Sequence, residues 1–368
     1  MSDRFRNYGK HHEAYQKSIR EEISHHLEQT FSAHDSQLWL ALRELVTRSL
    51  SGGKGLRATC AFLGFQLAQE DEVAPAPENL VALGAALETY QASALTHDDY
   101  IDHSELRRGN PSVPALAHQL ANRLGLAPSA QEYVSAAATF VGDLTLGMAF
   151  EFLGNAVQGL EESASLLSTF ATMTSRVAIG QYLDTTLDFT SADSLSPAKA
   201  LEVISYKTAG YSVITPVCLG AILGGMPSED VRQLEAALAP WGFGFQLRDD
   251  QLGAFGISKE TGKPTASDLK NGKRTVLMAR TLEILEQEDP QAKAELVELL
   301  APRRSRTEQD IARMAELLAE VSSQELLEKE IATLAEEGEA ALDRLDFISP
   351  EALAQLKSLG QSLLWRRV

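Results

Sequence analysis

Two short acidic segments carry carboxylates spaced too closely to be stable without a partner. Asp98-Asp99-Tyr100-Ile101-Asp102 follows the apolar segment 80–95, and Asp249-Asp250-Gln251-Leu252-Gly253 follows Trp241-Gly242-Phe243-Gly244-Phe245. On a helix, Asp98 and Asp102 are i,i+4 neighbours on one face, with Cβ atoms ~5–6 Å apart. Adjacent carboxylates raise one another's proton affinity unless a cation or donors compensate. Hard oxygen ligands in this pattern suit Mg²⁺, which keeps several waters and completes its shell with substrate phosphates. Taken alone, the first segment reads equally well as a charged helix end facing water. The second follows residues that should be packed inside, and buried charge needs partners. Together, two carboxylate pairs can clamp several Mg²⁺ ions around one diphosphate.

Basic residues supply the complement. Gly52-Gly53-Lys54-Gly55-Leu56-Arg57 sets two cations beside a flexible glycine turn whose amides can approach an anion. Arg107-Arg108-Gly109 comes directly after the first acidic segment, Lys207-Thr208 lies between the two, and Lys263 and Lys273 follow the second. Arg suits bidentate oxyanion contacts, whereas Lys acts as a point charge. The 52–57 stretch is not a Walker A loop, since it lacks the leading Gly and the Lys-Ser/Thr end. A weak internal echo links the halves: Gln91 precedes His97-Asp98-Asp99, and Gln246 precedes Arg248-Asp249-Asp250.

The elements that must position these residues read as helices. Apolar residues recur at three- and four-residue spacing over 13–31, 37–50, 80–95, 131–152, 166–188 and 231–239, and period-two strand patterns are nearly absent. Turn signals at 51–53, 75–77, 109–111, 196–197 and 224–227 separate them, and Ser228 and Ser349 are candidate N-caps. The expectation is an all-α fold in a single domain, 1–368. Within it, 1–36 forms an N-terminal helical extension, 52–275 carries the motifs and 281–346 forms acidic C-terminal helices.

The chain has 368 residues and a formal net charge of −18, with 44% hydrophobic and 23% charged residues, which are ordinary globular values. Between 281 and 346 there are 18 acidic and 7 basic residues, which argues against broad nucleic-acid or anionic-membrane binding. The apolar run 213–226 is broken by Pro216 and Gly220, so no membrane-spanning helix is expected. Cys60 and Cys218 offer no zinc spacing and sit in apolar sequence. With no secretory signal pattern at the start, a cytoplasmic setting is the expectation. His11, His12, His25 and His26 read as exposed polar positions of a helix.

From 52 to 275 the chain resembles the trans-type (all-E) isoprenyl diphosphate synthases, or polyprenyl synthetases. The matching residues are Gly-Gly-Lys-x-x-Arg at 52–57, Gln91, Asp98-Asp99-x-x-Asp102 and Leu106-Arg107-Arg108-Gly109. Gly180-Gln181-x-x-Asp184, Lys207-Thr208 and Phe245-Gln246-x-x-Asp249-Asp250 follow, then Thr261-Gly262-Lys263 and Asp268-Leu269-x-x-Gly272-Lys273-Arg274-Thr275. The resemblance implies one large orthogonal helical bundle around a central cavity, as a homodimer. It also implies transfer of an allylic prenyl group (dimethylallyl, geranyl or farnesyl) to isopentenyl diphosphate with three Mg²⁺ per active site. Asp98, Asp102 and Asp249 would ligate metal, supported by Asp99 and Asp250. Arg107, Lys207, Thr208, Gln246, Lys263 and Lys273 would hold the allylic diphosphate; Lys54, Arg57, Gln91 and Arg108 would hold isopentenyl diphosphate. The basic end Arg366-Arg367-Val368 resembles tails that close over the second diphosphate.

Three positions depart from the family pattern. Gly55 and Ala58 replace its common Arg and Pro, and Gly253 replaces the last Asp of its second acidic motif. Product length is partly legible: Ala94 and Ser93, four and five residues before Asp98, are small and lie about 6 Å deeper along the helix. Tyr90, a turn further, is the candidate floor, so geranylgeranyl diphosphate (C20) is the expected product, with farnesyl or longer polyprenyl diphosphates as alternatives. A class I terpene cyclase would instead need an Asn/Asp-Ser/Thr-Glu metal motif in the second half. A silent partner subunit would be expected to have lost Asp or Lys from one cluster. His97 is read as a local hydrogen-bonding residue, since the released diphosphate can serve as the base in this family.

Overall fold

The computed structural model describes residues 3–69, 75–126, 130–256, 266–302 and 304–365. It is all-α apart from one two-residue hairpin, as expected, and the chain falls into two compact units. The first comprises residues 1–170 and 216–231, and the second 171–215 and 232–368.

In the first unit, α4 (Glu78–Ile101) is the central element, flanked by α1 (Asp3–Phe31), α2 (Gln37–Leu50), α3 (Leu56–Leu67), α5 (Val113–Arg123) and α6 (Ala130–Ala156). Leu80, Leu83, Leu87 and the alanines between them are buried, because α4 is covered on several sides. Glycines set two close helix–helix approaches in this unit. A Cβ at Gly84 would overlap Tyr15 and Ile19 of α1, and the Tyr15 hydroxyl donates to the Leu80 carbonyl at 3.2 Å. Gly64 of α3 and Gly220 of α9 (Thr215–Leu223) each lie where a Cβ would overlap a backbone carbonyl of the other helix. One face of α1 is therefore core material: Tyr15, Ile19 and Phe31 are all buried.

Between α4 and α5 stand β1 (Leu106–Arg107) and β2 (Asn110–Pro111), paired antiparallel. Arg108 and Gly109 both have positive φ, 55° and 73°, as a tight primed turn requires.

In the second unit, the remainder of α7 (Ser163–Phe189) precedes α8 (Pro197–Ile204), a π-helical stretch (Ser205–Ile214) and most of α10 (Ser228–Phe255). Then come α11 (Ser267–Asn271), α12 (Val276–Glu288), α13 (Pro290–Leu299), α14 (Glu308–Glu320), α15 (Ser323–Leu342) and α16 (Pro350–Leu364). Ser349 caps α16 by accepting from the Ala352 amide, with Pro350 in the first turn. The helix expected over 231–239 does not stop at Pro240: α10 runs on to Phe255. Trp241 explains why. It is buried against Gly338 and Gly360, whose Cβ atoms would overlap it, and its Nε1 donates to Ala335 O at 3.3 Å. Packing on that scale outweighs the one helical hydrogen bond that proline removes.

By length and composition alone the Gln131–Ala156 stretch of α6 could cross a membrane, but half of its most apolar window is buried inside the fold, as in a core helix. What remains exposed includes Phe140, at 66%, and Phe150, at 43%. Cys60 and Cys218 are buried and form no disulfide, and burial pushes the Cys60 thiol up to about 12.

Candidate active site

In the first unit, α4 carries Asp98 and Asp99 in its last turn and ends on Asp102, whose amide donates to the Asp98 carbonyl at 2.8 Å. The i,i+4 placement of Asp98 and Asp102 therefore holds, and both are half-buried. Asp99 points inward, only 2% exposed. It is met by Arg107, whose Nε donates to Asp99 Oδ1 at 2.8 Å and whose Nη2 reaches both Asp99 and, at 3.4 Å, Asp98 Oδ2. Burial works against the Arg107 charge, but Asp99, Asp98 and Asp102 together lift its pKa above the ordinary value. Arg107 is thus placed on the carboxylates themselves.

The hairpin sends its two arginines to different tasks. Arg108 lies over the glycine turn, with its Nη1 donating to Gly52 O at 2.5 Å and Ser51 O at 3.2 Å. A Cβ at Gly53 would come within 2.7 Å of that guanidinium, which is why glycine stands there. Burial lowers the Arg108 pKa, with Arg107, Arg57 and Arg48 adding repulsion against the single opposing charge of Glu88. Such a clustering of cations favours an added anion. Arg57 is buried at the start of α3, while Lys54 is exposed and Gln91 half-buried.

Arg48 and Glu88 belong to this arrangement although no motif in the sequence marks them. Arg48 donates through Nη2 to Arg107 O at 2.8 Å and through Nε to Pro111 O at 2.6 Å, bracing the hairpin from α2. Glu88 accepts from the Ala58 amide at 3.1 Å, a donor that the family's usual proline would lack. His97 packs against α6, 3.6 Å from Asp143, where Gly142 leaves room for the ring. That matches a local hydrogen-bonding role. Below it on α4, Ser93 is buried and Ala94 half-buried, and Tyr90 is buried edge-on to Phe170 at 5.8 Å. Phe150 meets the same ring at 5.7 Å, so the aromatic cluster extends beyond the single residue expected.

In the second unit, Lys207 and Thr208 lie on the π-helical stretch, a form often found at functional sites. Gly180 lets α7 approach the Lys207 backbone, and Asp184, one turn on, accepts from Lys207 Nζ at 2.6 Å. Lys273 Nζ lies 3.3 Å from Asp188 and 3.7 Å from Asp184. Two cations expected to hold diphosphate are therefore seated on carboxylates of α7. The i,i+4 spacing of Asp184 and Asp188 was the available signal for that seat.

On α10, Asp249 is half-buried and Asp250 is buried. Gln246 donates to Asp250 Oδ1 at 2.8 Å and the Val276 amide to its Oδ2 at 3.3 Å. Burial still dominates, with Asp268 and Asp249 adding repulsion, and pushes Asp250 up to about 8. Gly253 abuts Asp268: a Cβ there would overlap the Asp268 carboxylate, so the space of the missing aspartate is already taken by one. Arg248 anchors the helix, making 2.6 and 2.7 Å bonds to both Glu328 oxygens and a 2.8 Å bond to Leu364 O.

No group of three or more His, Cys, Asp or Glu side chains gathers as a metal centre among the described residues. The donor chemistry nonetheless suits Mg²⁺: Asp98, Asp102 and Asp249 present hard oxygens and are each half-buried. Lys263 and the 366–368 tail lie outside the described residues.

A family model described as polyprenyl synthetase matches residues 40–318. The geranylgeranyl diphosphate synthase of Sulfolobus acidocaldarius is 31% identical over 65% of this chain and 66% of that protein. The geranylfarnesyl diphosphate synthase of Natronomonas pharaonis is 30% identical over 62% of this chain and 64% of that protein. The chain thus spans just under two thirds of the length of these two curated relatives. A solved geranylgeranyl pyrophosphate synthase from Corynebacterium glutamicum, complexed with isoprenyl diphosphate and magnesium, superposes with a TM-score of 0.86 at 32% identity. That match covers 96% of this chain and 99% of the other. With both aspartate motifs on helices and Arg107 set on the first of them, the chain belongs to the polyprenyl synthetase family and is a prenyltransferase.

Proposed function

We propose that the protein condenses isopentenyl diphosphate with an allylic diphosphate (dimethylallyl, geranyl or farnesyl) and delivers geranylgeranyl diphosphate. The observation that carries the reading is Arg107 fixed on Asp98 and Asp99 of the first acidic motif, with Lys207 and Lys273, the cations expected at the allylic diphosphate, held together on Asp184 and Asp188 of α7. Asp98, Asp102 and Asp249 would hold Mg²⁺, three ions per site, with Asp99 and Asp250 in support. When bound, the metal neutralises charge building on the diphosphate leaving group.

The chain's own residues do the rest. Arg107, Lys207, Thr208, Gln246, Lys263 and Lys273 hold the allylic diphosphate. Because negative charge grows there as the C–O bond breaks, fixed cations stabilise the transition state more than the ground state. Lys54, Arg57, Gln91 and Arg108 hold isopentenyl diphosphate so that its alkene attacks C1 of the allylic cation. The proton then lost goes to the released diphosphate, consistent with a His97 that is engaged on α6.

Small Ser93 and Ala94 above the Tyr90–Phe170 pair support a C20 product. The geranylfarnesyl relative makes a longer chain the second reading. The exposed α6 stripe of Ala136, Phe140, Gly147, Phe150 and Gly154 supports a homodimer, since its spacings of three, four and seven residues suit a second helix. Two buried cysteines outside any disulfide support a reducing, cytoplasmic setting. The test is turnover of purified protein with isopentenyl diphosphate and each allylic starter, with and without Mg²⁺. Metal-dependent chain elongation is expected; a cyclic hydrocarbon, or no product from any starter, contradicts the reading.

A further inference from the structure

The glycine turn at 52–55 has little restraint of its own. Gly52, Gly53 and Gly55 have φ of 76°, 100° and 62°, and Gly55 caps α3 with no side chain to hold the first turn. Glycines are the residues with most conformational freedom to lose on ordering. Yet Lys54 and Arg57, which flank Gly55, must meet a diphosphate in a fixed geometry.

Arg108 holds one side of the turn, and the other is held by α1. Gln16 Nε2 donates to Gly55 O at 3.0 Å and lies 3.2 Å from Thr59 Oγ1. Thr59 Oγ1 itself donates to Gly55 O at 2.8 Å and meets His12 Nε2 at 2.8 Å. A Cβ at Gly55 would overlap the Gln16 amide, so Gln16 occupies the space a side chain at 55 would take. His12 is half-buried and stacks edge-on to Phe62, and burial lowers its pKa, so the neutral imidazole that Thr59 meets is favoured. His12 is thus no exposed polar residue.

We infer that Gln16 is a positioning residue for isopentenyl diphosphate: through the Gly55 carbonyl and Thr59 it fixes the turn that presents Lys54 and Arg57. This rests on the reaction proposed above. In this chain, helix α1 takes over at position 55 the space that a long side chain fills in the family pattern, and the exchange trades a local side chain for a long-range hydrogen bond.

The experiment measures KM for both substrates and kcat in wild type, Gln16→Ala, Gln16→Met and Thr59→Val. Gln16→Met keeps the side chain's length without its donors, so it separates hydrogen bonding from packing. The expected result is a rise of about tenfold in KM for isopentenyl diphosphate in all three variants, the loss of one net hydrogen bond. KM for the allylic substrate and kcat stay within about twofold. An unchanged KM for isopentenyl diphosphate overturns the inference. So does a parallel loss for both substrates with a lowered thermal midpoint, which marks a merely structural role. A wild-type protein that makes no prenyl product overturns the reaction itself, a failure distinct from either.

Discussion

Gly253 shows how a single residue changes an acidic motif without emptying it. The family pattern has an aspartate there, but Asp268 from α11 already fills that space. Restoring the family residue, Gly253→Asp, should therefore push Asp268 aside and add like charge beside Asp249 and Asp250. We expect weaker Mg²⁺ binding and a lower thermal midpoint, read by calorimetry and thermal unfolding; tighter Mg²⁺ binding would contradict the account. Asp250 gives a pH test. Its folded pKa of about 8 exceeds the ordinary carboxylate value of about 4, so the folded state holds the extra proton between these limits. Stability contributed by that group is therefore present below about pH 4 and is lost as pH rises through 8. Metal-free wild type should lose thermal midpoint between pH 5 and 8, and Asp250→Asn should flatten that decline. Parallel curves for the two proteins would refute the assignment.

At the scale of elements, positions are set by glycines and by one hairpin. Gly64 and Gly220 let α3 and α9 cross with carbonyl oxygens where Cβ atoms would sit. Backbone cannot move aside as a flexible side chain can, so Gly220→Ala should force α9 outward and cost about 1–3 kcal/mol, comparable with overpacking a core. Chemical denaturation reads this directly, and an unchanged midpoint would show that the crossing is loose. Much of this level was legible in the sequence: heptad-like spacing located α1, α2, α4, α6 and α7, and Asp98 and Asp102 fell on one helical face as expected. The rest depended on contacts far apart in sequence. The extension of α10 past Pro240 follows from Trp241 meeting Gly338 and Gly360, and no local pattern carries that. The β1–β2 hairpin hides in a two-residue ladder too short for alternation to show. The turn signal at 109–111 was its trace in the sequence, yet the hairpin decides that Arg107 faces Asp99 while Arg108 faces Gly52. Lys207 and Lys273 stand out in the sequence as cations, whereas their seats on Asp184 and Asp188 are marked only by the i,i+4 spacing of those two residues.

At the scale of the whole molecule, the exposed Phe140 stripe on α6 bears on assembly. Phe140→Glu should shift the protein towards monomer in size-exclusion chromatography with light scattering; a wild-type monomer would remove the homodimer, and a dimer indifferent to the change would remove α6 as its interface. The acidic segment 281–346 leaves the local arginines and lysines to hold anionic substrates, so the protein's proposed activity is chemistry at two diphosphates. It is tested most directly by the chain length of the product, read by mass spectrometry for wild type and Ser93→Phe with isopentenyl diphosphate, Mg²⁺ and each allylic starter. The account predicts a dominant C20 diphosphate from wild type and a shorter one from Ser93→Phe, where the ring would stand above Tyr90. A wild type that makes no elongated prenyl diphosphate, or a Ser93→Phe variant whose product distribution is unchanged, would contradict it.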